Sequence, residues 1–284
     1  MPTPVLTTIA EVRAAVAAAR RVGRTVGFVP TMGALHAGHA ALVRAARAGA
    51  GFVVVSVFVN PTQFGPAEDF AAYPRTLEAD RALCDEAGAD LIFAPTAAEM
   101  YPAGSLTTVE VAELDGVLCG PARPGHFRGV CTVVLKLFHI VSPDLAFFGA
   151  KDYQQATIVR RMVHDLNVPV AVRVEPTVRE PDGLALSSRN RYLTPDQRAA
   201  APGIYRALQA TRTRARTGAR DVAALEAALH ADVAAIPGAR VDYARVLDAD
   251  ALRPLTLLDR PAVAAVAVFL GTTRVIDNLL LGMG

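Results

Sequence analysis

Residues 25–39, TVGFVPTMGALHAGH, decide how this chain folds. Thr25–Pro30 is a short apolar run bounded by a glycine-containing loop, which suits a strand buried on both faces. A helical pattern follows from about Gly38 to Arg47, so Pro30–His39 bridges a strand and a helix. The alternation repeats outward in both directions. Upstream, Thr7–Val22 carries apolar positions at helical spacing and is ended by Gly23. Downstream, the apolar run Phe52–Val59 ends in the polar loop Asn60–Gly65, a helix is expected over Thr76–Gly88, and a third apolar run covers Asp90–Ala94. The pattern resumes with a helix at Gly129–Val141, a strand at Leu145–Phe148, a helix at Asp152–Leu166 and a strand at Val170–Glu175. Strands that are apolar throughout, rather than at every second residue, argue for a parallel sheet covered by helices on both faces. The expected class is α/β, a Rossmann-like doubly wound parallel sheet.

Beyond Pro176 the texture changes. A polar loop, REPDGLALSSRNRYLTPDQR, leads into helices from about Pro195 to Ala235, and strand-like runs follow at Val241–Leu247, Val263–Phe269 and Arg274–Asn278. Helices followed by clustered strands suggest a smaller C-terminal α+β domain. The expected division is 1–177 and 178–284.

Composition narrows the function. The chain has 284 residues, 29 basic against 27 acidic side chains, a formal net charge of +2 and 52% hydrophobic residues. That length supports one large or two moderate domains with their own cores, which excludes a disulfide-stapled mini-protein. Nearly balanced charge without a long basic block is not the footprint of a nucleic-acid binder. The longest uncharged apolar stretches, near Phe52–Val59 and Ala262–Gly271, are about half the ~20 residues of a spanning helix, so no membrane partner is expected. No basic region precedes the first apolar pattern, which Glu11 and Arg13 interrupt, and a cytoplasmic location is expected. Cys84, Cys119 and Cys131 are odd in number and form no C-x-x-C spacing, so they are expected to be reduced and incidental.

Chemistry concentrates at strand ends. In an open α/β sheet ligands bind at the carboxyl ends of the strands, and the first turn of the next helix offers free N–H groups and a positive dipole end to a phosphate. His36 and His39, three apart across Gly38, can face one phosphate chain or cap the helix. Two histidines without a third ligand nearby make a weak zinc site. Asn60 and Gln63, in VNPTQFG, follow a strand end and offer amides that fix hydroxyls and carboxylates without adding charge. Of the basic residues only Lys136 and Lys151 are lysine, against a strong arginine bias. Lys151 stands just beyond a strand, where a compact ammonium can follow a moving phosphate. Lys136 lies in an apolar helical stretch and reads as a snorkelling side chain. His126 is open between helix capping and a substrate role, while His139, His164 and His230 read as ordinary helical residues.

Further motifs follow in order: YPRT at 73–76, GPARPGHFRGV at 120–130, FFGAKDYQQ at 147–155 and LSSRNRYL at 186–193. With H-x-G-H at 36–39, a signature similar to that of the nucleotidyltransferase superfamily, the set resembles the pantothenate synthetase (pantoate–β-alanine ligase) family. The resemblance runs in order from near residue 25 to residue 193 and more weakly beyond. It implies an ATP-dependent condensation of pantoate with β-alanine through a pantoyl adenylate, releasing pyrophosphate and then AMP. It assigns Met32, Gly33, Ala34, Leu35, His36, Ala37, Gly38 and His39 to ATP, with His39 as the usual proton donor and His36 beside it at the reacting phosphate. Gly149, Ala150, Lys151 and Asp152 would also contact ATP, Lys151 at the phosphates and Asp152 at the ribose. Val178, Leu186, Ser187, Ser188 and Arg189 would close over the nucleotide from the second domain. Gln63 would hold pantoate and the incoming β-alanine, Gln155 the pantoate hydroxyls, and Tyr73 and Arg123 the same region. Mg²⁺ and a homodimer are implied as well.

Two positions depart from the family's usual pattern. Ala150 stands where an acidic residue is common, and the run Glu78-Ala79-Asp80 follows YPRT where acidic residues have been associated with magnesium, so no protein ligand for the metal is assigned. Two rivals share parts of this pattern. A nucleotidyltransferase acting on a phosphorylated acceptor would want a basic pocket where VNPTQFG offers neutral amides, and a non-catalytic nucleotide-binding module would not need His36, His39, Lys151 and Arg189 together.

Overall fold

The computed structural model describes residues 2–65 and 70–282. Its order begins with β1 (Val5–Leu6), α1 (Ile9–Arg21), β2 (Val26–Thr31), α2 (Ala37–Gly49), β3 (Phe52–Val57), α3 (Leu77–Ala87), β4 (Leu91–Phe93) and α4 (Ala97–Met100). It continues with α5 (His126–Val141), β5 (Leu145–Gly149), α6 (Tyr153–Asp165) and β6 (Ala171–Glu175). The remainder is α7 (Pro195–Ala200), α8 (Gly203–Arg216), α9 (Val222–Ala234), β7 (Ala239–Asp248), β8 (Ala262–Leu270) and β9 (Thr273–Leu281).

The apolar runs become the strands they promised. Val26, Phe28, Val29, Val53, Val54 and Val55 have no exposed surface, because helices cover both faces of the sheet. Every strand pair in the six-stranded sheet is parallel, in the order β1-β4-β3-β2-β5-β6. From β2 the chain winds outward through β3 and β4, whereas β5 and β6 wind the other way. The strand order therefore reverses between β2 and β5, and that switch point is where an α/β sheet opens a crevice. Gly27 on β2 lets α2 pack close, since a Cβ there would stand 2.9 Å from Ala50 Cβ. Helix α1 is closed by a reciprocal capping box between Thr8 and Glu11.

Some boundaries differ from expectation. β1 is two residues long and pairs with β4, too short to leave a periodic signal. Helix α5 starts at His126, a turn before the expected Gly129. It is buried almost all round, which keeps the apolar residues on its several faces away from water. Lys136, on its less buried side, places Nζ 5.6 Å from the centre of the Tyr101 ring.

The C-terminal strands form a separate antiparallel sheet, β7-β8-β9, with α8 and α9 against it. Leu247, Leu252 and Val263 from this half join the core that includes Phe28, Leu137 and Phe148. The two sheets thus share packed side chains, and β9 meets the turn Ala150–Asp152 that follows β5.

Candidate active site

A cleft of about 250 Å³ opens at the switch point. Its walls come from the segments after β2, β3, β5 and β6, from α5, and from the loop over 186–189. Because all strands of the six-stranded sheet are parallel, their carboxyl ends lie on one edge, and that alone gathers residues far apart in sequence.

The β2 loop is shaped before it reaches the histidines. Gly33 and Ala34 both adopt left-handed backbone conformations, with φ of 86° and 51°. The buried Asp80 carboxylate accepts from the backbone N–H groups of Ala34 and Leu35, at 3.1 and 2.8 Å, and from the Thr76 hydroxyl at 3.2 Å. Gly33, Ala34 and Leu35 therefore stand behind the cleft wall. Ala37 is exposed at the start of α2. Within the run Met32–His39, the residues lining the cleft are Met32, His36, Gly38 and His39.

The two histidines cap α2 and face the cleft at once. His36 Nδ1 accepts from Gly38 N–H at 3.1 Å, and His39 Nδ1 accepts from His36 N–H at 3.2 Å. A Cβ at Gly38 would stand 2.9 Å from His36 Cε1, so glycine there makes room for the imidazole itself. The rings tilt together with centroids 4.2 Å apart. With Nδ1 accepting in both rings, the proton of each neutral imidazole sits on Nε2, and each ring is a donor outward. Burial, then the charge of Lys151, lowers the His36 pKa. Burial, then His36, pushes His39 down to about 3. Both rings are neutral donors at the positive end of a helix.

Opposite them, Gln63 lies on the short 3₁₀ turn Pro61–Gln63 after β3 and is buried. Asn60 fixes that turn. Its Oδ1 accepts from Thr62 N–H, Thr62 hydroxyl and Tyr101 hydroxyl, and its Nδ2 donates to Gln63 Oε1 and Gly129 O. Asn60 lines the cleft, but its amide is spent on orienting Gln63. His126 supports the same turn, with Nδ1 2.8 Å from Gln63 O and Nε2 3.0 Å from Arg123 Nη1. His126 is the first residue of α5, whose N-cap Gly125 makes no side-chain cap. Gly129 lets α5 touch the turn, since a Cβ there would run into Thr62 O.

The β5 side brings Gly149, Lys151, Asp152 and Gln155 to the cleft. Lys151 Nζ is 3.9 Å from Asp152 Oδ1. Gln154, one helical step from Gln155, instead holds Cys119 N–H and the carbonyls of Leu114 and Val117. Ala150 does not line the wall, and its carbonyl is held from behind by Asn278. Val178, Leu186, Ser187, Ser188 and Arg189 close the far side. Ser187 also caps the 3₁₀ turn Ser188–Tyr192, so the loop is both a turn start and a wall. Tyr73 and Arg123 stand at the Gln63 end.

Comparison with known proteins settles the family. The sequence profile described as pantoate-beta-alanine ligase matches residues 4–280. The chain belongs to the pantoate–β-alanine ligase family. It is 55% identical to the pantothenate synthetase of Moorella thermoacetica over 276 residues, covering 97% of this chain and 98% of that one. The crystal structure of the pantothenate synthetase from Thermus thermophilus superposes with a TM-score of 0.92 at 52% identity, covering 98% and 99% of the two chains. A Francisella tularensis pantoate-beta-alanine ligase, complexed with beta-gamma ATP and beta-alanine, gives a TM-score of 0.80 at 33% identity, with 99% of each chain covered. This ligase family carries out an ATP-dependent condensation.

Several residues of the cleft were not singled out from sequence. Phe58, Val130, Val133, Val134 and Leu137 form an apolar floor beside Gln63. Asp80 lies in the run after YPRT, yet its oxygens hold the backbone of the loop that delivers His36. Among the described residues no group of three His, Cys, Asp or Glu side chains could hold a metal ion. Among the described residues lining the cleft Asp152 is the one carboxylate, and these residues alone do not build a cation cage.

Proposed function

We propose that this chain condenses pantoate with β-alanine to pantothenate in two steps within the single cleft, at the cost of ATP. The observation that carries this reading is the pairing of two surfaces. One has outward Nε2–H donors, Lys151 and Arg189, and the other has Gln63 and Gln155 over an apolar floor. The first matches a polyphosphate, the second a branched hydroxy acid. A phosphorylated acceptor would be poorly served by that apolar floor.

In the first step the pantoate carboxylate attacks the α-phosphorus of ATP and pyrophosphate leaves. Gln63 and Gln155 hold pantoate in line, which converts a bimolecular encounter into an oriented one. His36 and His39 donate through Nε2 to the phosphoryl oxygens as charge shifts, and Lys151 and Arg189 neutralise the departing pyrophosphate. Because both imidazoles are neutral, His39 acts as a hydrogen-bond donor and not as a charged acid. In the second step the amine of β-alanine attacks the acyl carbon and AMP leaves, so no protein nucleophile is required. The acyl adenylate must be kept from water, and residues 178–284 act as the lid that does so. Magnesium would accompany ATP as part of the substrate and would offset the negative charge of its phosphates. The chain works as a cytoplasmic homodimer, in keeping with its family resemblance; among the described residues no helix is long and apolar enough to cross a membrane.

The test supplies ATP, pantoate and β-alanine together and singly. AMP and pantothenate in equal amounts, dependent on all three, are expected. ADP as the nucleotide product, or AMP without a β-alanine requirement, would refute the reading.

A further inference from the structure

Asp277 and Asn278 are consecutive residues of β9, and both are buried. Neighbours on a strand point to opposite faces, so two successive buried polar side chains need a partner on each side. Asp277 accepts from both terminal nitrogens of Arg179, at 2.6 and 2.9 Å, and from Asn278 N–H at 2.8 Å. Arg179 also lies over the Tyr205 ring, 3.8 Å from its centre, and donates to Gly183 O. This planar, forked pair fixes β9 against the segment that leads from Val178 to Leu186.

On the other face, Asn278 Nδ2 donates to the carbonyls of Ala150 and Lys151, each at 2.9 Å. One amide group thus satisfies two successive peptide carbonyls in the 3₁₀ turn that follows β5. Two fixed peptide planes determine the direction in which the side chain between them leaves the backbone, and that side chain is Lys151. The cation enters the cleft from one domain, while its backbone is held by a strand of the other.

We propose that Asn278 is a positioning residue for ATP binding, setting the direction from which Lys151 reaches the phosphates. The inference rests on the reading of Lys151 as a phosphate-binding cation. A mere strut between domains would alter stability, or weaken every ligand alike.

The test titrates ATP and pantoate separately into the full chain, in Lys151 and Lys151→Ala backgrounds, with thermal melts alongside. Asn278→Asp keeps the shape and removes both donors. Should its second carboxylate beside Asp277 prevent folding, Asn278→Ala carries the test. With Lys151 present, either variant is expected to raise the ATP Kd about tenfold and the pantoate Kd less than about twofold. In the Lys151→Ala background the further ATP loss should shrink below about twofold, because residues in one network are not additive. Equal ATP losses in both backgrounds, or equal losses for ATP and pantoate, would make Asn278 a strut and overturn the proposal. Weakened ATP binding in Lys151→Ala with silent Asn278 variants would overturn it alone. Unchanged ATP affinity in Lys151→Ala would overturn the reading of Lys151 and this inference with it.

Discussion

Replacing His39 with alanine is expected to slow pantoyl-adenylate formation about 10²–10³-fold, the usual loss when one preorganised donor to a developing oxyanion is removed. The measurement is the release of pyrophosphate from ATP and pantoate with β-alanine withheld, which isolates the first step. Stability should suffer far less. The substitution deletes the acceptor for His36 N–H, and a lost helix cap costs about 1 kcal/mol. For a chain of this size that corresponds to a fall of roughly 2–4 °C in Tm. Turnover at the original rate would remove His39 from the phosphate site.

The same geometry fixes the pH response. With His39 held at about 3, that ring does not change charge near the ordinary histidine pKa of ~6.5, and burial and Lys151 shift His36 below its ordinary value. The adenylation rate should therefore show no limb near pH 6.5 that disappears in His39→Ala. Stability has a defined sign. A histidine whose folded pKa lies below its unfolded value binds fewer protons when folded. Its contribution is complete above about pH 6.5 and drains away as the pH falls toward 3.

Replacing Gln63 with alanine is expected to weaken pantoate binding about 10–100-fold while changing ATP affinity less than about threefold. Gln63 is aimed by a buried arrangement. Asn60 Nδ2 touches its Oε1, His126 holds its carbonyl, and Gly129 brings α5 against its backbone. Little ordering remains to be done when pantoate binds, so its amide contributes nearly the full value of its hydrogen bonds. Removing it also leaves Asn60 Nδ2 with a single acceptor, Gly129 O. Separate titrations with pantoate and ATP decide the matter, and equal losses for the two ligands would contradict the placement of Gln63 away from the phosphates.

What the sequence revealed and what it hid follow from the range of the interactions. Runs such as Val26–Thr31 and Phe52–Val57 are legible because burial on both faces demands unbroken apolar residues. The strand order was not legible, since pairing is set by packing between distant segments, and β1 is too short to show a period. His36, His39 and Lys151 stood out as reactive side chains at strand ends. Asp80 and Asn278 did not, because the backbone atoms they hold in place lie 45 to 128 residues away. The signal for Asn278 was present as an anomaly, two polar residues inside the apolar strand VIDNLLL. The floor residues Val130, Val133, Val134 and Leu137 were hidden for another reason. Helical periodicity marks an apolar face without distinguishing a core from the wall of a cleft.

In the proposed mechanism pantoate's own carboxylate oxygen becomes bonded to the α-phosphorus. Pantoate labelled with ¹⁸O in its carboxylate, turned over with ATP and β-alanine, tests this directly by mass spectrometry of the products. One ¹⁸O is expected in the phosphate of AMP, with the other retained in the new amide carbonyl. Label in pyrophosphate, or AMP free of label while pantothenate accumulates, would contradict the account.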